Sequence, residues 1–180
     1  MGSLELFDLS GKVAIVTGGS RGIGFAISEG LASSGAAIVI ADILTEQGEE
    51  AAKKIEAKGF KTKSIPVDVS KRDSVETLVS QTVKDFGHID ILVNNAGISR
   101  DALLLRMSHA DWDQVLATNL KGTFLCTQAV LRHMIRQRWG RIINIASVVG
   151  LVGNAGQANY AAAKAGIIGL TKSTAREVAS

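Results

Sequence analysis

K-V-A-I-V-T-G-G-S-R-G-I-G, Lys12 to Gly24, is the stretch that decides the fold. Its first five residues, Lys12 to Val16, form a short β-rich apolar run, which reads as a buried strand. T-G-G-S-R-G-I-G (Thr17 to Gly24) interrupts that run. F-A-I-S-E-G-L-A-S-S-G then reads as an amphipathic helix closing at Gly35. Strand, glycine turn and helix in that order are the context in which such a turn binds a dinucleotide. Gly18 allows the tight turn; Gly22 and Gly24 let the backbone approach a pyrophosphate and let the helix pack on the strand. Ser20, Arg21 and Ile23 complete the turn and count with the cofactor-binding residues. The helix N-terminus adds unpaired N–H groups and a partial positive charge. The spacing is G-x-x-x-G-x-G, not the commoner G-x-G-x-x-G.

A second strand, A-A-I-V-I-A, ends at Asp42, twenty residues after Gly22. A carboxylate at that offset accepts hydrogen bonds from the adenosine ribose. It also repels a 2′-phosphate: two unit charges about 4 Å apart cost roughly 4 kcal/mol at an effective dielectric near 20. Asp42 therefore favours NAD(H). Arg21 pulls toward NADP(H), which stays open, because a guanidinium in the turn can pair with a phosphate.

Outward from this unit the chain alternates short apolar strands with amphipathic helices. T-E-Q-G-E-E-A-A-K-K-I-E-A-K-G reads as a helix closed by Gly59, and K-T-K-S-I-P-V-D-V as a third strand. A helix from Ser70 to Gly87 follows, with Ser70 as its cap and Asp73 three positions on. I-D-I-L-V is a fourth strand running into N-N-A-G. A long helical stretch spans Ala110 to Arg138, with a break expected near Asn119 and Gly122. R-I-I-N-I-A-S is a fifth strand, and a last helix begins near Ala158. This alternation predicts an α/β protein with a parallel sheet covered on both faces.

That last helix carries the chemistry. Tyr160 and Lys164 are four residues apart and share one helix face. A nearby cation lowers a tyrosine pKa from its usual value of about 10. A phenol tuned this way exchanges a proton with a carbonyl or alcohol oxygen near neutral pH. Ser147, thirteen residues before the tyrosine, is placed to hydrogen-bond the same oxygen. Hydride from the nucleotide would complete a reversible carbonyl reduction.

Composition narrows the alternatives. The chain has 180 residues, 46% apolar and 21% charged, as expected of one globular domain. Its apolar runs are too short to span a bilayer, and M-G-S-L-E-L-F-D-L-S lacks the features of a signal peptide. One cysteine, Cys126, leaves no internal disulfide; it sits in T-F-L-C-T-Q-A-V-L as a core residue, and a reducing, cytoplasmic setting fits. His88, His109 and His133 are scattered, so no metal site is expected. Trp112 and Trp139 read as packing residues. A net charge of +3 and 4% aromatic residues argue against nucleic acid. Arg132, Arg136, Arg138 and Arg141 form the one basic cluster: a solvated helix end, or a docking patch for an acidic partner.

The ordered set T-G-x-x-x-G-x-G, Asp68 in V-D-V, N-N-A-G, Asn119, Ser147 and Y-x-x-x-K resembles the short-chain dehydrogenase/reductase family along the whole chain. The resemblance implies a Rossmann-type doubly wound sheet, here of five strands in the order 3-2-1-4-5. It implies that Asp68 and the Val69 backbone hold the adenine, and that Asn95, Ala96 and Gly97 line the cofactor. Lys164 would also bond the nicotinamide ribose, and Asn119 would hold a proton-relay water beside the lysine. N-N-A-G-I-S-R-D-A-L-L-L-R-M and I-A-S-V-V-G-L-V-G-N-A-G-Q-A-N-Y-A-A-A-K-A-G are similar to the 3-oxoacyl-[acyl-carrier-protein] reductases of that family. Those enzymes usually take NADPH, from which Asp42 departs. The start L-F-D-L-S-G-K-V-A-I-V-T-G-G is also similar to gluconate and other polyol dehydrogenases.

The expected substrate is accordingly a 3-oxoacyl thioester on acyl-carrier protein or coenzyme A. A sugar, polyol or secondary-alcohol dehydrogenase is the alternative. A homo-oligomer, dimer or tetramer, built on the fourth and fifth helices is implied as well. Relative to the family the chain stops at A-R-E-V-A-S, near the end of the active-site helix, and its only proline is Pro66. The expectation is a single dinucleotide-binding catalytic domain over residues 1–180, truncated before the family's Pro-Gly segment, last strands and lid. A cofactor-binding scaffold without turnover is the reading from another class.

Overall fold

The computed structural model describes residues 7–179; the first six residues, on which the reading of the N-terminal leader partly rests, lie outside the described residues. Strands β1 (Val13–Thr17), β2 (Ala37–Asp42), β3 (Thr62–Pro66), β4 (Ile91–Asn94) and β5 (Arg141–Asn144) form one sheet, ordered β3-β2-β1-β4-β5. Every pairing is parallel. The strand order is the expected one. Each crossover is made by helix: α1 (Gly22–Ser33), α2 (Thr45–Glu56), α3 (Arg72–Phe86), then α4 (His109–Val115) and α5 (Gly122–Gln137). A short α6 (Val149–Val152) and the long α7 (Ala158–Val178) follow β5.

Side-chain alternation along the central strands feeds two cores. Ile15, Val39 and Leu92 face Val75, Leu78, Val79, Leu125, Val130 and Met134 of α3 and α5. Ala14, Val16, Ile38, Ile40 and Val93 face Ala32, Ala51, Ala52 and Ile55 of α1 and α2. Burying each such isoleucine or leucine fully contributes about 1.5–3 kcal/mol, so the middle of the sheet anchors everything attached to its ends. Cys126 lies in the first core, as expected. Trp139 packs at the edge of the second, under the Lys12 ammonium 3.8 Å from its ring centre.

The expected break in the long helical stretch is a π-helical turn, Leu116–Lys121, between α4 and α5. Such turns are uncommon and concentrate at functional sites. One local reading needs correction. Ser70 does not cap α3: the helix starts at Arg72, and its N-cap, Lys71, makes no side-chain cap bond. Asp68 has captured the serine instead, its Oδ1 accepting from Ser70 N at 3.0 Å and Ser70 Oγ at 2.6 Å. A carboxylate bonding two residues on is a common local competitor of helix capping.

Candidate active site

The parallel strands deliver their carboxyl ends to one edge of the sheet, where open α/β sheets bind ligands. Thr17, Asp42, Asn94 and the segment after Asn144 all arrive there. The glycine turn between β1 and α1 is tightly built. Gly18 has φ +62°, and a Cβ on it would lie 3.0 Å from Ala96 Cα. A Cβ on Gly24 would lie 2.0 Å from the Gly18 carbonyl oxygen, so only glycine fits. Gly22, also at positive φ, faces open space. No side chain caps α1, which leaves its first amides to an external acceptor. A turn closed inside and open at Gly22 and the helix end fits a dinucleotide pyrophosphate. Arg21 and Ile23 flank that opening, exposed, the isoleucine at 68%.

Asp42 closes the turn from β2. Its Oδ2 accepts from Ser20 N at 3.1 Å and Ser20 Oγ at 2.6 Å, and its Oδ1 accepts from Leu44 N at 3.1 Å. A carboxylate has about four acceptor positions, so these three bonds leave room at Oδ1. Asn95 ties the other side: its N–H donates to Thr17 Oγ1, and its Nδ2 donates to the Thr17 and Gly18 carbonyls at 3.0 and 3.1 Å. Ala96 N–H reaches Thr17 Oγ1 as well, at 3.1 Å. Thr17 and Gly19, which sequence reasoning passed over, thus belong to the turn; a Cβ on Gly19 would lie 2.7 Å from the Val16 carbonyl oxygen.

At the end of β3, burial raises the Asp68 carboxyl, but the two Ser70 bonds and the Lys71 ammonium 3.6 Å away outweigh it and hold the group below its ordinary value. Val69 turns its side chain into the core against Gly122. Gly97 lies over Asn119, and a Cβ there would sit 3.3 Å from Asn119 Oδ1.

Asn119, in the π turn, is fully buried. Its Oδ1 accepts Ile98 N–H at 2.8 Å and its Nδ2 donates to the Ile98 carbonyl at 2.9 Å. The side chain is therefore committed to the loop after β4. Its main-chain carbonyl accepts from Thr123 Oγ1 at 2.7 Å.

Tyr160 and Lys164 occupy the first turns of α7. The ammonium lies 5.5 Å from the phenol ring centre and donates to the Ile145 carbonyl, just past β5, at 2.6 Å. Lys164 is only 4% exposed, and burial lowers its pKa. Two glycines absent from the sequence reading bring the remaining segments onto α7. Gly150, three residues after Ser147, approaches so closely that a Cβ would lie 2.8 Å from the Lys164 carbonyl carbon. Gly166 receives Leu120 of the π turn, 2.7 Å from where a Cβ would be. The Ser147 segment and the Asn119 segment thus dock on the helix that carries Tyr160 and Lys164. Ser147 Oγ accepts the Val149 N–H at 3.2 Å. The signal for both glycines was weak, because a close helix contact leaves no local pattern.

A nucleotide-shaped turn beside a tyrosine–lysine helix defines an NAD(P)-dependent oxidoreductase. The model of the short chain dehydrogenase family matches residues 12–180, and the chain belongs to that family. Among curated proteins it is 51% identical over 172 residues to the 3-oxoacyl-[acyl-carrier-protein] reductase FabG of Aquifex aeolicus, covering 95% of this chain and 69% of that protein. It is 53% identical over 173 residues to FabG of Vibrio cholerae, covering 96% of this chain and 70% of that protein. FabG of Staphylococcus aureus matches at 51% over 170 residues, 94% of this chain and 69% of that protein.

Among the described residues no three histidine, cysteine or acidic side chains gather as a metal site; His88 faces Asp90 at 2.9 Å instead. No helix among them is long and apolar enough to cross a membrane.

Proposed function

We propose that the chain reduces a 3-oxoacyl thioester, carried on acyl-carrier protein or coenzyme A, to the 3-hydroxyacyl thioester. The observation that carries this is the buried Lys164, beside Tyr160 on one helix face and tethered to the end of β5. NAD(P)H supplies the hydride. Tyr160 gives its phenolic proton to the carbonyl oxygen, and in the reverse direction takes it back. Lys164 bonds the nicotinamide ribose. Ser147 donates a hydrogen bond to the same carbonyl oxygen and polarises it. Proton resupply at Asn119 runs through its main-chain carbonyl, since its amide is spent on Ile98.

Gly18, Ser20, Arg21, Gly22, Ile23 and Gly24 cradle the pyrophosphate in this reading. Asp42 takes a ribose hydroxyl on its remaining acceptor position, which favours NADH. Asp68 and Val69 meet the adenine; Asn95, Ala96 and Gly97 line the path to the nicotinamide. Residues 1–180 act as one catalytic domain in the cytoplasm, within fatty acid synthesis.

Arg132, Arg136, Arg138 and Arg141, all exposed, are proposed as the docking surface for an acidic carrier. Arg141 opens β5 while Ser147 follows it, so within one chain cluster and hydroxyl sit at opposite ends of that strand. Self-association uses the two long helical stretches, α4 to α5 and α7, with a depression of about 460 Å³ on the first lined by Leu116, Ala117, Leu120 and the 40%-exposed Phe124.

The test follows NADH and NADPH oxidation with acetoacetyl-CoA, the acetoacetyl carrier protein, and a polyol series in reverse. Turnover of the thioesters with no polyol activity supports the assignment; the opposite pattern defeats it. Glutamate at the four arginines should raise KM for the carrier-borne substrate alone.

A further inference from the structure

Asn159 immediately precedes Tyr160, and none of its surface reaches solvent. A buried amide is held in place when its donors and acceptor are used. The Asn159 Oδ1 accepts the Tyr160 N–H at 2.7 Å. That N–H belongs to the first turn of α7, where helix donors lack partners, and the N-cap residue Gln157 makes no side-chain cap bond. The Asn159 Nδ2 donates to the Arg100 carbonyl at 2.9 Å, with the Asp111 carbonyl more distant at 3.5 Å.

Two more bonds join the same pair of segments. Ala102 N–H donates to the Gly156 carbonyl at 2.9 Å, and Gln157 Nε2 donates to the Asp101 carboxylate at 3.0 Å. The near end of the 98–102 loop is held by Asn119 through both main-chain groups of Ile98. A continuous path of contacts therefore runs from Asn119 through Ile98 and Arg100 to Asn159 and Tyr160. The two asparagines on that path, Asn119 and Asn159, are both fully buried.

We infer that Asn159 is a positioning residue for Tyr160: it locks the first turn of α7 to the 98–102 loop, so the phenol keeps a fixed place relative to Lys164 and Asn119. The inference rests on the reading of Tyr160 as the proton donor. Its physical content is that small displacements of a reacting group are costly, about a hundredfold per ångström in severe cases. The Asn159 side chain reaches no ligand in this scheme; it acts only through the tyrosine and the loop.

The experiment uses the enzyme as its native chain, with acetoacetyl-CoA as substrate. Asn159→Ala removes both bonds. Asn159→Asp keeps the shape and the acceptor for Tyr160 N–H but turns a carboxylate oxygen toward the Arg100 carbonyl. Gln157→Ala cuts a half-exposed tie in the same pair of loops and serves as control. Both Asn159 variants should lose about tenfold or more in kcat, with coenzyme dissociation constants within about twofold of the parent. The tyrosine limb of their kcat/KM pH profiles should move, because the phenol no longer keeps its place beside the Lys164 ammonium. Gln157→Ala should stay within about twofold in kcat, since it leaves Tyr160 N–H and the Arg100 carbonyl paired.

Folded Asn159→Ala with kcat within about twofold of the parent overturns the inference, whatever its melting temperature. So does a loss of turnover that merely tracks lost coenzyme binding with an unmoved pH profile. If the alanine variant does not fold, the isosteric aspartate decides by the same criteria. Full turnover by Tyr160→Phe would instead remove the reading of Tyr160 itself. An inactive Tyr160→Phe beside an active Asn159→Ala would remove this inference alone.

Discussion

Lys164 is a cation in a place that disfavours cations. Burial lowers its pKa, so the folded chain binds fewer protons than the unfolded chain in the window below the ordinary lysine value of 10.5. Across that window stability rises with pH, and at neutral pH the ammonium is a net cost to the fold. Lys164→Met should therefore be no less stable than the parent at pH 7 by urea denaturation, while turnover falls by about two orders of magnitude or more. A loss of more than about 2 kcal/mol would show instead that the bond to Ile145 stabilises the fold. Asp42 holds Ser20 in the turn, and in the proposed reading its remaining acceptor position takes a ribose hydroxyl. Asp42→Ala should weaken NADH use by about tenfold and shift the coenzyme ratio toward NADPH. Equal responses to both coenzymes would mean that the carboxylate serves only the turn. Tyr160, Lys164 and Asp42 stood out in the sequence because each lies at a spacing that the proposed chemistry would use. Asn159 did not, because a buried asparagine at the start of a helix looks like any polar residue there until its partners are known.

At the scale of the element, glycines set the distances. Gly150 lets the Ser147 segment rest on the backbone of α7 at Lys164. Gly150→Ala should cost about 1–3 kcal/mol in stability and lower kcat, with coenzyme affinity retained; a variant with lost coenzyme binding and normal kcat would refute this docking role. The glycine turn, the strands and the closing glycines of α1 and α3 could be read from sequence because each is a local pattern with a local cause. Gly35 and Gly87 do take positive φ, at +100° and +87°. The start of α3 could not be read so simply: the Asp68 carboxylate, two residues back, took the serine that would have capped the helix. The π turn was visible only as an irregularity, since the partner of its Asn119 side chain, Ile98, lies in another segment.

For the molecule as a whole, the strand order follows from alternating strands and helices with right-handed crossovers, and that order brings Thr17, Asp42 and Asn95 to one edge. The core behind them is apolar and buried. Burial pushes the Cys126 thiol up to about 12, so it should resist an aromatic disulfide reagent at pH 8 and label fully only on unfolding; rapid labelling of the folded protein would show that the α5 face of the core opens. The proposed mechanism, carbonyl reduction at this edge with a proton from Tyr160, is tested by single-turnover oxidation of bound NAD(P)H by acetoacetyl-CoA in the parent and in Tyr160→Phe, alongside coenzyme titration of both. Under this mechanism the variant binds coenzyme about as tightly as the parent and oxidises it at least about a hundredfold more slowly. Oxidation at the parental rate would contradict it.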